Sequence, residues 1–208
     1  MRTQTLVEER WNALTHGVAA LMGTIGMVMM LVKLDVNQDW GLFSVVVYGL
    51  SVIILFTAST LYHYSRNEKY KHRYRIVDHI SIYLLIAGTY TPVLLLGLRD
   101  SMGWLLFGLV WGIAGLGIVL KLFFTGRFEM FSTLLYLLMG WLIVFDFNNA
   151  SLFLGPTGVL WLFAGGLFYT LGIVFYAIQK LYFNHVIWHL FVVAGAFCHF
   201  IMIYNYVI

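Results

Sequence analysis

Seven apolar stretches, at about residues 13–33, 41–63, 76–98, 103–124, 130–147, 155–179 and 184–207, come close to the ~20 residues an α-helix needs to cross a ~30 Å hydrocarbon core. Nothing else in the chain constrains its fold as strongly. So many apolar runs need an apolar solvent unless a charged exterior can cover them, and the composition supplies no such exterior. Of 208 residues, 62% are hydrophobic and only 10% charged, where an ordinary soluble domain carries about 25% charged residues. Too few charges remain to coat a water-soluble globule of this size. The expected fold is therefore an all-α integral membrane protein, a seven-transmembrane-helix bundle.

A single domain covering 1–208 is the economical organisation, since no fixed-period repeat, long linker or low-complexity tract divides the chain. Arg2 and Arg10 precede the first apolar run in the manner of a signal peptide, but Glu8 and Glu9 interrupt the basic region and further spans follow. That start is expected to be a retained first helix. The single cysteine, Cys198, excludes an internal disulfide and a cysteine-rich zinc site. Any metal has to be held by histidine and carboxylate.

The formal charge of +3 is too small, and too unevenly placed, to point to nucleic acid. Its placement sets orientation instead. The N-terminal segment (Arg2, Arg10) and the loops expected at 64–75 (Arg66, Lys69, Lys71, Arg73, Arg75), 121–129 (Lys121, Arg127) and 180–183 (Lys180) together hold ten of the twelve Lys and Arg. The opposite side has only Lys33 and Arg99. Positive loops stay inside, so the N-terminus is expected in the cytoplasm and the C-terminus outside.

Ionisable residues within or just entering a span cost ~2.5–3.5 kcal/mol at its centre, which makes each a functional candidate. Four clusters stand out: Glu8-Glu9-Arg10-Trp11-Asn12 with His16, Ser59 with His63, Asp78-His79, and His185 with His189. Two histidines four residues apart lie one above the other on a helix, about 6 Å apart in rise, so both rings can reach one ion. In the expected topology all four clusters fall at the cytoplasmic ends of their spans. His63, His185 and His189 are the natural three ligands, the pattern of a zinc site that keeps a position open for water or substrate. Asp78 is expected beside the metal, bonded to a water or a ligating ring. Ser59, one turn before His63, faces the same way.

The other histidines have plainer readings. His199, fourteen residues past His185, lies about 21 Å along the helix and is expected to form an interhelical hydrogen bond. His72 belongs to the basic loop and is expected to be solvated. His79 points about 100° away from Asp78 around the helix and reads as interfacial. His16 shares a stripe with Asn12 and Glu9 and is either a neighbour of the ligands or a packing residue. Pro92, with Gly88 one turn before it, predicts a kink in the third span.

With these motifs in place, the chain resembles the PAQR family, the progestin and adiponectin receptors, and within it the bacterial hemolysin III branch. Glu9-x-x-Asn12-x-x-x-His16, Ser59-x-x-x-His63, Asp78 and His185-x-x-x-His189 carry the resemblance, in this order and over nearly the whole length. It implies a bacterial cytoplasmic (inner) membrane location and zinc bound by His63, His185 and His189. The family is also similar to the alkaline ceramidases, which implies a zinc-dependent hydrolase of lipid amides, with Asp78 and Ser59 as catalytic residues and a membrane lipid or fatty-acid-containing molecule as partner. The alternative is non-enzymatic: a cytolysin or pore-forming hemolysin, or a sensor in membrane-lipid homeostasis, with a structural zinc.

Overall fold

In a computed structural model that describes residues 4–208, the chain is all helical, and no strand occurs among the described residues. The helices are α1 (Leu6–Lys33), α2 (Gly41–Tyr64), α3 (Glu68–Pro92), α4 (Gly103–Phe124), α5 (Glu129–Gly140), α6 (Phe147–Ala177) and α7 (Asn184–Tyr206). Among the described residues, six helical runs are long and apolar enough to span a membrane. The seven stretches of the sequence become six because Glu129–Ala177 is helical almost without interruption, 49 residues in all. Arg2, counted toward the charge asymmetry, lies outside the described residues.

Two helices begin earlier than the hydropathy predicts, because their caps lie in polar sequence. Thr5 accepts from the Glu8 amide while the Glu8 carboxylate reaches back to the Thr5 amide at 2.9 Å, a reciprocal cap that starts α1 at Leu6. Glu8, Glu9, Asn12 and His16 consequently share one helix. Asn67 caps α3 by accepting from the Lys69 and Tyr70 amides. The expected basic loop is thus largely the first two turns of α3. His72 is exposed there, as expected, though on a helix rather than in a loop.

The break expected after the fifth span is also mostly helical. Asp146 organises it by accepting from Ser101 Oγ at 2.6 Å, from the Met102 amide and from Asn149, which ties it to the turn before α4. A 3₁₀ segment, Leu142–Asp146, joins α5 to this point. The Tyr90 hydroxyl enters the joint, donating to the Gly140 carbonyl and accepting from the Ile143 amide. Within α6 the helix is broken at Gly155, whose φ of 65° and ψ of 174° suit a residue without Cβ just before Pro156. At Pro92, where the missing amide removes a helical bond, α3 passes into a π-helical turn, Val93–Gly97.

The bundle is inside-out relative to a soluble one. The exposed face of α1 carries Leu14, Val18, Leu21, Ile25, Val28 and Val32, an apolar stripe at helical spacing turned away from the protein. Small residues face inward and let backbones approach. A Cβ on Gly88 of α3 would sit 2.2 Å from Ser51 Oγ of α2, and one on Gly117 of α4 would sit 2.3 Å from the Tyr83 ring of α3. The Lys33 ammonium bonds the Tyr204 carbonyl and lies over the Tyr204 ring, so α1 and α7 adjoin at the ends where Lys33 and Tyr204 lie.

Candidate metal centre

His63 comes from the last turn of α2 and His185 and His189 from the first two turns of α7. The α7 start is placed by Phe183, in the left-handed region at φ 61°, whose amide donates to the Glu8 carboxylate at 2.9 Å. The first turn of α1 therefore holds the first turn of α7. The three rings meet with centroids 4.6–5.1 Å apart. One ring nitrogen from each lies within 4.8 Å of the others, a spacing that could hold a metal ion. His63 and His189 are 4% and 2% exposed, so both rings are nearly sealed from bulk water.

The hydrogen bonding of His63 fixes which of its nitrogens can act as a ligand. Nδ1 lies 2.6 Å from Glu9 Oε2, and Glu9 Oε1 in turn takes the Lys71 ammonium at 2.6 Å. A carboxylate only accepts, so Nδ1 carries the proton and Nε2 presents its lone pair. Nε2 of His63 and Nδ1 of His189 are buried and have no hydrogen-bond partner among the described residues. A nitrogen from each of three rings within 4.8 Å of the others, with buried unpartnered nitrogens on two of the rings and one ring oriented by a carboxylate, fits a metal ion bound by neutral imidazoles. His16 lies parallel to His189, ring centroids 3.6 Å apart, and edge-on to Phe56. It is thus both a neighbour of the cluster and a packing residue.

Asp78 and Ser59 border the same space. Asp78 is 8% exposed, and the Ser59 hydroxyl is its polar neighbour, without the geometry of a hydrogen bond. Both line a cavity of about 140 Å³ whose polar end also includes His16, His79, His185 and His189. From there it runs between Leu55, Ile82, Ile86, Leu137 and Val192 toward Tyr169 and His199. His79, expected at an interface, lines the cavity as well, because the cavity is wide enough to take two adjacent positions of α3.

Residues that sequence reasoning missed lie beside the cavity, which Glu129 lines. Glu129, opening α5, accepts from Lys121 Nζ at 2.8 Å and the Gly126 amide at 3.0 Å, with Arg75 at 3.5 Å and His79 Nδ1 at 3.7 Å. Lys121 is 1% exposed yet paired. No local spacing advertises this cluster, although a lysine inside an apolar run was a signal in itself. The Glu9–His63 contact was equally hidden, as it joins residues 54 apart. His199 meets the Leu162 carbonyl of α6 at 3.2 Å, the interhelical bond expected of it.

These features define a class: a polytopic helical membrane protein with a largely buried three-histidine cluster at the polar end of an apolar cavity. Over residues 4–200 the chain matches the family described as Haemolysin-III related, and it belongs to that family. It is similar to Hemolysin-3 of Bacillus cereus, 41% identical over 207 residues, covering 99% of this chain and 94% of the relative. It is also similar to the Hemolysin-3 homolog of Bacillus subtilis (strain 168), 39% identical over 203 residues, with 97% and 95% coverage. The human Monocyte to macrophage differentiation factor is 29% identical over 215 residues, 97% of this chain and 85% of that one. The chain is a multi-pass bacterial membrane protein, and its family is the one its motifs resemble.

Proposed function

We propose that this protein is a zinc-dependent hydrolase of lipid amides, with zinc on His63, His185 and His189. The observation that carries the reading is the junction of two unlike surfaces: a three-histidine cluster with Asp78 and Ser59 beside it, opening directly into a deep apolar cavity. A long acyl chain fits the apolar part while its amide lies at the histidines. Gly140 and Gly166 line the cavity, and a Cβ on either would meet nothing within 4 Å. That open side, between α5 and α6, suits lateral entry of a lipid from the bilayer. A membrane lipid, and not a nucleic acid, is the partner this chemistry calls for.

Zinc in such a site supplies a Lewis acid that polarises a carbonyl and brings the pKa of water to ~7. The protein's own groups complete the reaction. Asp78 takes the proton of the attacking water as its oxygen bonds the amide carbon, and passes that proton to the nitrogen as the C–N bond breaks. The Ser59 hydroxyl donates to the carbonyl oxygen, where negative charge develops. The products are a fatty acid and a free amine. Purified protein in detergent is expected to release fatty acid from long-chain lipid amides, and a chelator is expected to abolish release until zinc is restored. Fully zinc-loaded protein inert toward a broad amide panel would remove the hydrolase reading. It would leave a cytolysin or lipid-homeostasis sensor with a structural zinc, a reading the relatives' name Hemolysin-3 favours.

The same reading takes the chain to cross the membrane seven times, N-terminus in the cytoplasm and C-terminus outside. A straight helix of 49 residues would extend about 74 Å, more than twice the ~30 Å core. Glu129 and Tyr176, near the two ends of that run, border the same cavity. A reversal at 146–156, where Asp146 and Gly155 break the helix, accounts for both facts. The Lys/Arg asymmetry orients the bundle. A periplasmic-active reporter fused after Ile208 is expected to be active, and a cytoplasmic-only signal would refute this orientation.

A further inference from the structure

The cavity continues well beyond the histidine cluster, and its far end contains two polar atoms for which amide hydrolysis has no use. His199 Nε2 lies 3.2 Å from the Leu162 carbonyl. A carbonyl only accepts, so Nε2 carries the proton and Nδ1 is a bare acceptor. That Nδ1 is buried and has no hydrogen-bond partner among the described residues, and the same holds for the Tyr169 hydroxyl. The two rings lie 5.6 Å apart, and both residues line the cavity. Other polar side chains at this end are satisfied: Thr89 by the Leu85 carbonyl, Thr170 by the Gly166 carbonyl and Tyr90 by the Gly140 carbonyl.

The placement of the two rings is built into the helix pair. A Cβ on Gly165 of α6 would lie 2.3 Å from the His199 ring, and one on Gly195 of α7 would lie 2.9 Å from the Tyr169 ring. Each helix thus has a glycine where the other sends its ring. Sealed polar atoms are costly in a membrane interior, and reciprocal packing holds the two rings that bear them next to each other.

We infer that the distal end of the cavity is a subsite for a hydroxyl group on the lipid chain, which accepts a hydrogen bond from Tyr169 and donates one to His199 Nδ1. A hydroxyl is both donor and acceptor. A carboxylate has no proton to give and a methyl group has neither function. His199 is ten residues past His189, about 15 Å along α7. The hydroxyl therefore belongs to the distal half of a long acyl chain whose polar head is at the histidines. The inference rests on the reading that the cavity takes a lipid.

The test is binding of a long-chain saturated fatty acid, and of isomers carrying one hydroxyl moved along the distal half of the chain, to the full-length protein in detergent. One isomer is expected to bind about tenfold tighter than the plain acid, the discrimination a single well-made hydrogen bond gives. Tyr169→Phe, which keeps the ring against Gly195, and His199→Phe should reduce that preference to roughly twofold or less. Measurable binding of the plain acid by both variants reports that the cavity is intact. Equal binding of plain and hydroxylated acids by the wild type, as when a water occupies the pair, overturns the hydroxyl subsite and leaves the lipid cavity standing. Preference that survives both variants overturns it as well. Failure of every acid to bind overturns the lipid reading itself, and this inference with it.

Discussion

Replacing His63, His185 or His189 by Ala is expected to take zinc from one ion per chain to near zero, whereas His72→Ala keeps a full complement. Three rings each bring one nitrogen within 4.8 Å of the others, and a zinc site left with two neutral ligands loses much of the geometry and donor count that zinc demands. His72 is exposed on the first turns of α3 and is the matched control. Glu9 gives the graded case: it holds the proton on His63 Nδ1 and so leaves Nε2 with its lone pair. Glu9→Gln should weaken zinc binding by about 10–100-fold, the usual cost of losing such a partner, without abolishing it. Elemental analysis and competition with a zinc-binding dye measure both effects. Undiminished zinc in all three histidine variants would sink the assignment.

Asp78→Asn is expected to leave the fold and most of the zinc in place and to lower amide turnover by about 10²–10⁴-fold, the contribution of a positioned general base. The amide keeps a similar shape and hydrogen-bonding capacity but cannot take the proton. Were Asp78 only a brace between α2 and α3, the same change would lower the melting temperature and leave turnover per zinc largely unaltered. Turnover, zinc content and melting temperature on one preparation separate the two roles. Ser59→Ala supplies a milder comparison, since the hydroxyl adds one hydrogen bond to the carbonyl and carries no proton away.

Much of this site was legible in the sequence because its signals are local. His185 and His189 are four residues apart on one helix, and Ser59 and His63 likewise, so helical periodicity alone assigns their faces. Long apolar runs make the bundle legible for the same reason. Contacts between helices have no such signature: Glu9 with His63, Glu129 with Lys121, Glu8 with the Phe183 amide. Hydropathy also misplaced the starts of α1 and α3, where capping by Thr5 and Asn67 extends helix into polar sequence. Between the fifth and sixth apolar stretches the chain stays mostly helical, and its breaks fall at Asp146, held by three partners, and at Gly155.

The bond between Glu8 and the Phe183 amide joins residues 175 apart, and the histidine cluster joins His63 to residues more than a hundred positions later. Closing so long a loop carries an entropic cost that local helix formation does not offset, and non-local contacts form late in folding. During synthesis, which proceeds from the N-terminus, His63 enters the bilayer long before its two partners exist. A chain arrested before α7 has one ligand and no centre. Metal uptake by the proposed centre would therefore report completed insertion, with the ion a latch applied only after the last helix has come to lie against the first.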